Sequence, residues 1–293
     1  MLRQIGFPLA FLTLSLSATV HGAHAQIAPT ATTSSFPAFQ SWMHPDLPAA
    51  WTQGYRGQGV AITVVDEWSG RPGNPDDRFS QIYAVASLAK AVAPSASLWI
   101  QSSYQSGPIV LPSKGLNVLT VGYQVYTSKL ESLDQSVVNA ARRGQAVVVA
   151  AAGNAGTDMR LGGIRPSLLQ TSLIGAQSAI FVGALDRNGD MQTGSLAKKT
   201  PYSNKAGDNS VSSQFVMVGV ENNAPLGSTA GAAAIVSGYA AILGSKFKTA
   251  EPIRVTWQIL NTARRDTIQN YSLNVHGRGE ASLSRALAPA TIK

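Results

Sequence analysis

Apolar residues run through this chain in two rhythms. Val60–Val65, Gly115–Gly122, Gln145–Ala152, Ala179–Leu185 and Phe215–Gly219 are near-continuous apolar stretches, rich in valine and isoleucine and bounded by glycine, asparagine or an acid. Runs of that kind predict strands covered on both faces, as in parallel sheets. A shorter strand is predicted at Ser95–Ile100. Between them the spacing turns helical. Gln81 opens a helix that stops before Pro94, and Ser132–Arg143 carries a capping box from Ser132 to Gln135 with Gly144 beyond its end. Pro252–Arg264 puts Ile253, Trp257 and Leu260 on one face, with Pro252 in the first turn. Gly227–Leu243 (GSTAGAAAIVSGYAAIL) is apolar all round and uncharged. That predicts a helix in the middle of a large core, and it is short for a membrane span.

The alternation predicts an α/β fold, a mostly parallel central sheet flanked by helices. In open sheets of this class ligands bind beyond the carboxyl ends of the strands. Asp66 stands at such an end, directly after Val60–Val65.

Residues 1–25 change the picture of the whole chain. Arg3, the apolar stretch Phe7–Val20 and Ala23-His24-Ala25 have the order of a secretory signal cut before Gln26. The expectation is a protein that is secreted, periplasmic or at the cell surface, with no second membrane segment. Residues 26–43, rich in Ala, Thr, Ser and Pro over their first part, are expected to be a flexible lead-in, and residues 44–290 one domain. With 293 residues, 44% hydrophobic and 13% charged, a sizeable core is expected and disorder is not. There is no cysteine, which excludes disulfides and cysteine-rich metal sites. The net charge of +8 is scattered in pairs (Arg142-Arg143, Lys198-Lys199, Arg264-Arg265), the pattern of solvated surface rather than a nucleic-acid site. Asp186-Arg-Asn-Gly-Asp190 lacks the further acids of a calcium loop and is expected to be a tight Asn-Gly turn. No metal or cofactor is expected.

Several of these segments, in order from about His44 to Pro289, resemble the subtilisin-like serine proteases (subtilases, peptidase S8). Val60–Asp66 is similar to the family's aspartate strand, with Glu67-Trp68 where the family has Thr-Gly. Val85-Ala86, Val92-Ala93-Pro94, Ala96 and Leu98 resemble the histidine helix, Ala151–Asn154 the Ala-Ala-Gly-Asn turn, Pro201–Asn204 the Tyr-Ser-Asn segment, and His276–Pro289 the closing motif. Ser228–Gly238 is similar to the serine helix.

The resemblance implies a three-layer subtilisin-like fold, and it assigns positions. Asp66 takes the place of the triad acid and Asn154 that of the oxyanion-hole asparagine. Gln81 stands where the family has its catalytic histidine, Ala84 at the second histidine, and Ala230 at the nucleophilic serine. Thr120, Val121 and Gly122 fall on the segment that pairs with substrate backbone, and Tyr123 follows, where its ring would intrude on the cleft. A glutamine exchanges no proton and a methyl group attacks nothing. The expected function is therefore a pseudoprotease that binds a peptide or protein. One alternative is an active serine endopeptidase using Thr229 and a carboxylate base such as Glu67. A second is a structural or cell-surface module whose cleft is closed by Tyr123 and Trp68. His44 and His276, the histidines left after signal cleavage, are expected at the surface or as caps.

Overall fold

The computed structural model describes residues 25–26, 39–66, 81–161, 165–220 and 226–292. Residues 1–24, which hold most of the expected signal, the stretch with Glu67 and Trp68, and most of the expected lead-in lie outside them.

Six strands form an all-parallel sheet: β2 (Ala61–Asp66), β3 (Ser97–Ser102), β4 (Asn117–Val121), β5 (Val147–Ala151), β6 (Ala179–Leu185) and β7 (Phe215–Gly219). β1 (Ala25–Gln26), which contains the expected cleavage point, adds antiparallel to the β3 edge. The sheet order is β1-β3-β2-β4-β5-β6-β7. The chain moves outward from β2 to β3, then returns to the other side of β2 as β4. The winding reverses between β2 and β4, and that crevice is where a doubly wound sheet binds ligands.

Side chains alternate between two cores because successive strand residues face opposite ways. Ile62, Val64, Val118, Val147, Val149, Ile180, Val182, Val216 and Val218 pack beneath α1 (Asp46–Thr52), α2 (Gln81–Val92), α6 (Thr229–Lys246), α7 (Pro252–Thr262) and α9 (Leu283–Leu287). Val65, Leu119, Val121, Val148, Ala150, Phe181 and Met217 face the opposite layer with α3 (Ser132–Arg142) and α4 (Leu168–Leu173). Two short helices, α5 (Asn209–Ser212) and α8 (Leu273–His276), complete the fold.

Helix α6 organises the first layer. Its residues from Thr229 to Ser245 are all buried, as its unbroken apolar sequence predicts. Small residues let it lie close to its neighbours: a β-carbon on Gly238 would overlap the side chain of Val92 in α2.

Four local expectations need correction. Trp42 and Met43 are core residues, each 2% exposed, so the packed domain begins before His44 and takes in the end of the lead-in. Helix α3 is capped one residue earlier than expected, with the Glu131 amide donating to Asp134 Oδ2 rather than a Ser132–Gln135 pair. Helix α7 buries Val255, Thr256, Ile259 and Leu260 and leaves Trp257 52% exposed, because its inner face is rotated away from Trp257. Asn188-Gly189 is no hairpin turn, since neither residue has the positive φ such a turn requires. Gly189 lies flat against Thr267, whose carbonyl leaves no room for a β-carbon. Among the described residues no helix is long and apolar enough to cross a membrane.

Candidate active site

The carboxyl ends of β2, β4 and β5 and the amino ends of α2 and α6 meet at one end of the sheet. Asp66 closes β2 and is fully buried. Gln81 is the first residue of α2, and its amide Nε2 donates to both carboxylate oxygens of Asp66, at 3.0 and 3.1 Å. The same nitrogen reaches the Gly122 carbonyl at 3.4 Å. The two N–H bonds of one amide thus span the crevice between β2 and β4. An imidazole in this place could relay a proton; a carboxamide holds the geometry and does not titrate.

Gly122 follows β4 and its amide donates to Val65 O at 3.1 Å. The Asp66 carboxylate lies directly over its α-carbon, so any β-carbon there would overlap it. Thr120 and Val121 are placed otherwise than expected. Both are fully buried inside β4, which pairs with β2 on one side and β5 on the other. A strand with both edges occupied cannot accept a peptide as a new neighbour. Thr120 instead donates its hydroxyl to Ser237 in α6, at 2.8 Å. Tyr123 is corrected too: its ring does not enter the crevice. It turns into the opposite layer, 5% exposed, with its hydroxyl on Asp134.

The end of β5 and the start of α6 are joined by a set of hydrogen bonds. Asn154 Oδ1 accepts from the Thr229 amide and hydroxyl, each at 3.0 Å. The backbone N–H can only donate, so the oxygen end of the Asn154 amide is fixed toward the helix and Nδ2 is turned away from it. Thr229 Oγ1 also accepts from the Gly153 amide at 3.0 Å. That hydroxyl gives its one proton to Asn154, takes one from Gly153 and is fully buried. It is committed to structure. Ser228 is the N-cap of α6, its Oγ accepting from the Gly231 amide at 3.3 Å. Ala230 comes next along the helix and is 2% exposed.

Sequence reading missed the residue that shapes the Asn154 loop. Asn204 Oδ1 accepts from the amides of Ala155 and Thr157, and its Nδ2 donates to Ala152 O. The Tyr-Ser-Asn resemblance pointed at this residue without giving it a task. Thr229 and Asn204 are therefore testable as positioning residues. Thr229→Val, which removes both hydroxyl bonds and leaves the buried Gly153 N–H unpaired, is expected to cost about 1–3 kcal/mol in denaturant unfolding. A cost below about 0.5 kcal/mol would show that the loop repairs itself.

Neither His44 nor His276 is at the site. Both are buried, at 6% and 5% exposure, rather than on the surface. His44 bonds Arg264, and His276 stacks on Tyr271 with its Nδ1 against Ser272. Burial is the main cause holding both below the ordinary histidine pKa. Among the described residues no cluster of three or more His, Asp or Glu could hold a metal.

A parallel sheet with its switch point between β2 and β4, an acid at one lip and a loop-capped helix at the other, is the frame of a subtilisin-like hydrolase. The family model of the Subtilase family matches residues 92–280, and the chain belongs to that family. The match takes in Asn154 and Ala230, whereas Asp66 and Gln81 precede it. The structure is similar to that of the prenylagaramide maturation protease PagA, at TM-score 0.57 and 17% identity over 83% of this chain and 98% of that one. It is also similar to a point mutant of the protease domain of PatA (TM-score 0.52, 19% identity, 79% and 87% covered). A lanthipeptide protease aligns at TM-score 0.53 and 16% identity, with 82% and 91% covered. These likenesses concern the fold. No curated protein sequence matches the chain.

Proposed function

We propose that this chain is a catalytically silent subtilase that binds an extended peptide along the segment following β4. The observation that carries the reading is the Gln81 amide seated on both oxygens of Asp66, with a methyl group at Ala230 and the Thr229 hydroxyl already spoken for. A carboxylate held by a non-titrating donor activates no nucleophile. The alternative that uses Thr229 as nucleophile would first have to break its bonds to Gly153 and Asn154.

Peptide capture needs main-chain groups rather than a triad. Tyr123 O is taken by Gln170 Nε2, and Val125 N and O are taken by Ser167 Oγ and the Leu168 amide. Between them, no described residue bonds the backbone N–H or C=O of Gln124, which is half-buried beside Gly122. A peptide laid along Gln124 would complete those groups. We further propose export, on the strength of Arg3, Phe7–Val20 and Ala23–Ala25.

Selection from a random linear-peptide display library tests the binding half. Wild-type protein is expected to enrich a family of peptides that Gln124→Pro, lacking the N–H, binds at least about tenfold less well at unchanged melting temperature. Equal binding by the variant, or no enrichment at all, contradicts the proposal.

A further inference from the structure

We propose that His44 and Arg264 form a pH-operated latch that holds the segment 39–52 against the body of the domain and releases it on acidification, Arg264 exchanging His44 for Glu280. The segment carries Trp42, Met43, Leu47 and Trp51 into the core and ends in α1. Outside that packing it is fastened by polar contacts, one of them Trp51 Nε1 donating to Val92 O at 3.0 Å, and by three more nearer its start. Asn188 Nδ2 donates to Trp42 O at 3.1 Å, the Ser284 amide donates to Asp46 Oδ2 at 2.9 Å, and Arg264 Nη2 meets His44 Nε2 at 2.6 Å.

The last contact fixes the protonation state. A guanidinium has only donors, so His44 Nε2 must offer its lone pair and the ring proton sits on Nδ1. There it faces Asp46 Oδ2 at 3.4 Å, in competition with the Asp46 amide, which donates to Nδ1 at 3.1 Å. A second proton has one place to go, Nε2, where it would confront an Arg264 N–H at hydrogen-bond distance. Protonated His44 and bound Arg264 are mutually exclusive.

Arg264 has somewhere else to go. Backbone bonds of 2.7 Å in both directions tie Arg264 to Glu280, and Nη2 stands 3.7 Å from Glu280 Oε2. Glu280 is fully buried; Oε1 takes the Gly189 amide, the Thr267 hydroxyl interacts with the carboxylate, and Oε2, like Arg264 Nε, makes no close hydrogen bond among the described residues. The guanidinium therefore lies between an occupied imidazole and an incompletely bonded carboxylate. The charged groups facing this cluster are Asp46 from α1, Asp190 from the loop after β6, Arg264 from the turn after α7 and Glu280 from the segment between α8 and α9, with the Tyr239 hydroxyl from α6 beside them.

The sign follows from His44. Burial, with Arg264 adding to it and Asp46 opposing, holds it below its ordinary value. The closed form is thus unpenalised above about pH 6.5 and weakens as pH falls below it, toward the depressed folded value.

Hydrogen exchange of the full-length chain over residues 40–56, corrected for intrinsic rates, with tryptophan emission as a second readout, tests the latch between about pH 8 and pH 5. Wild type is expected to lose protection there and to shift its emission to the red at one shared midpoint below about pH 6.5. His44→Gln, which keeps an acceptor for Arg264 without titrating, is expected to stay closed throughout, as is Arg264→Leu, which removes the opposing cation. His276→Gln should open like wild type, and Glu280→Gln should open at lower pH. A wild type that stays closed, a His44→Gln that opens at the wild-type midpoint, or loss of opening in His276→Gln would each overturn the latch. An unmoved midpoint in Glu280→Gln would overturn the exchange.

Discussion

Gln81→His combined with Ala230→Ser is expected to convert the chain into a peptidase, with neither substitution sufficient alone. In subtilisin the serine and the histidine act as one unit, and losing either costs roughly a millionfold in turnover, about as much as losing the whole triad. Each single variant should therefore stay at background, and the pair should exceed both by at least about a thousandfold on a peptide ester. Gln81 already contacts both oxygens of the acid that would orient an imidazole, and residue 230 lies in the first turn of α6, next to the residue clamped by Asn154. Hydrolysis by Ala230→Ser alone at the rate of the double variant would show that Gln81 is not a block. Inactivity of a well-folded double variant would place further lesions elsewhere in the site.

Gly122→Ala is expected to destabilise the fold by about 3 kcal/mol, the upper range for overpacking. The new β-carbon would occupy the space of the Asp66 carboxylate, which is buried and has Gln81 in front of it. Relief requires either a shift of β4 against β2 or expulsion of the acid from its site. For a chain of this size the melting temperature should fall by roughly 6–12 °C. Asp66→Ala, introduced into the Gly122→Ala background, should recover part of that loss, because the two side chains compete for one space. Absence of any recovery would mean that the glycine serves the backbone rather than the acid.

The strands and the central helix are legible in the sequence because their burial on all sides leaves an unbroken apolar run, and Ala179–Leu185 and Phe215–Gly219 match β6 and β7 to the residue. Asp66 was legible because it ends an apolar strand, and Gln81 because the resemblance of Val85–Leu98 to the histidine helix sets it at the histidine position beside that acid. What failed to show was set by tertiary context. The substrate-pairing reading placed Thr120 and Val121 on an edge, but whether a strand has a free edge is decided by its neighbours, and β4 has two. Tyr123 looked like an obstruction because linear sequence does not say which layer a side chain after a strand enters; Asp134, eleven residues on, draws its hydroxyl away. Trp257 fits a helical stripe equally well on either side of the true buried face. His44 and Arg264, 220 residues apart, carry no local signal of each other at all.

The most direct test of a silent site is intact-mass analysis of the purified wild-type protein after incubation with a fluorophosphonate, from acid to alkaline pH, beside casein and peptide-ester turnover. The account predicts an unmodified mass and turnover no faster than buffer at every pH. A stoichiometric adduct that Thr229→Val or Ser228→Ala abolishes would contradict it.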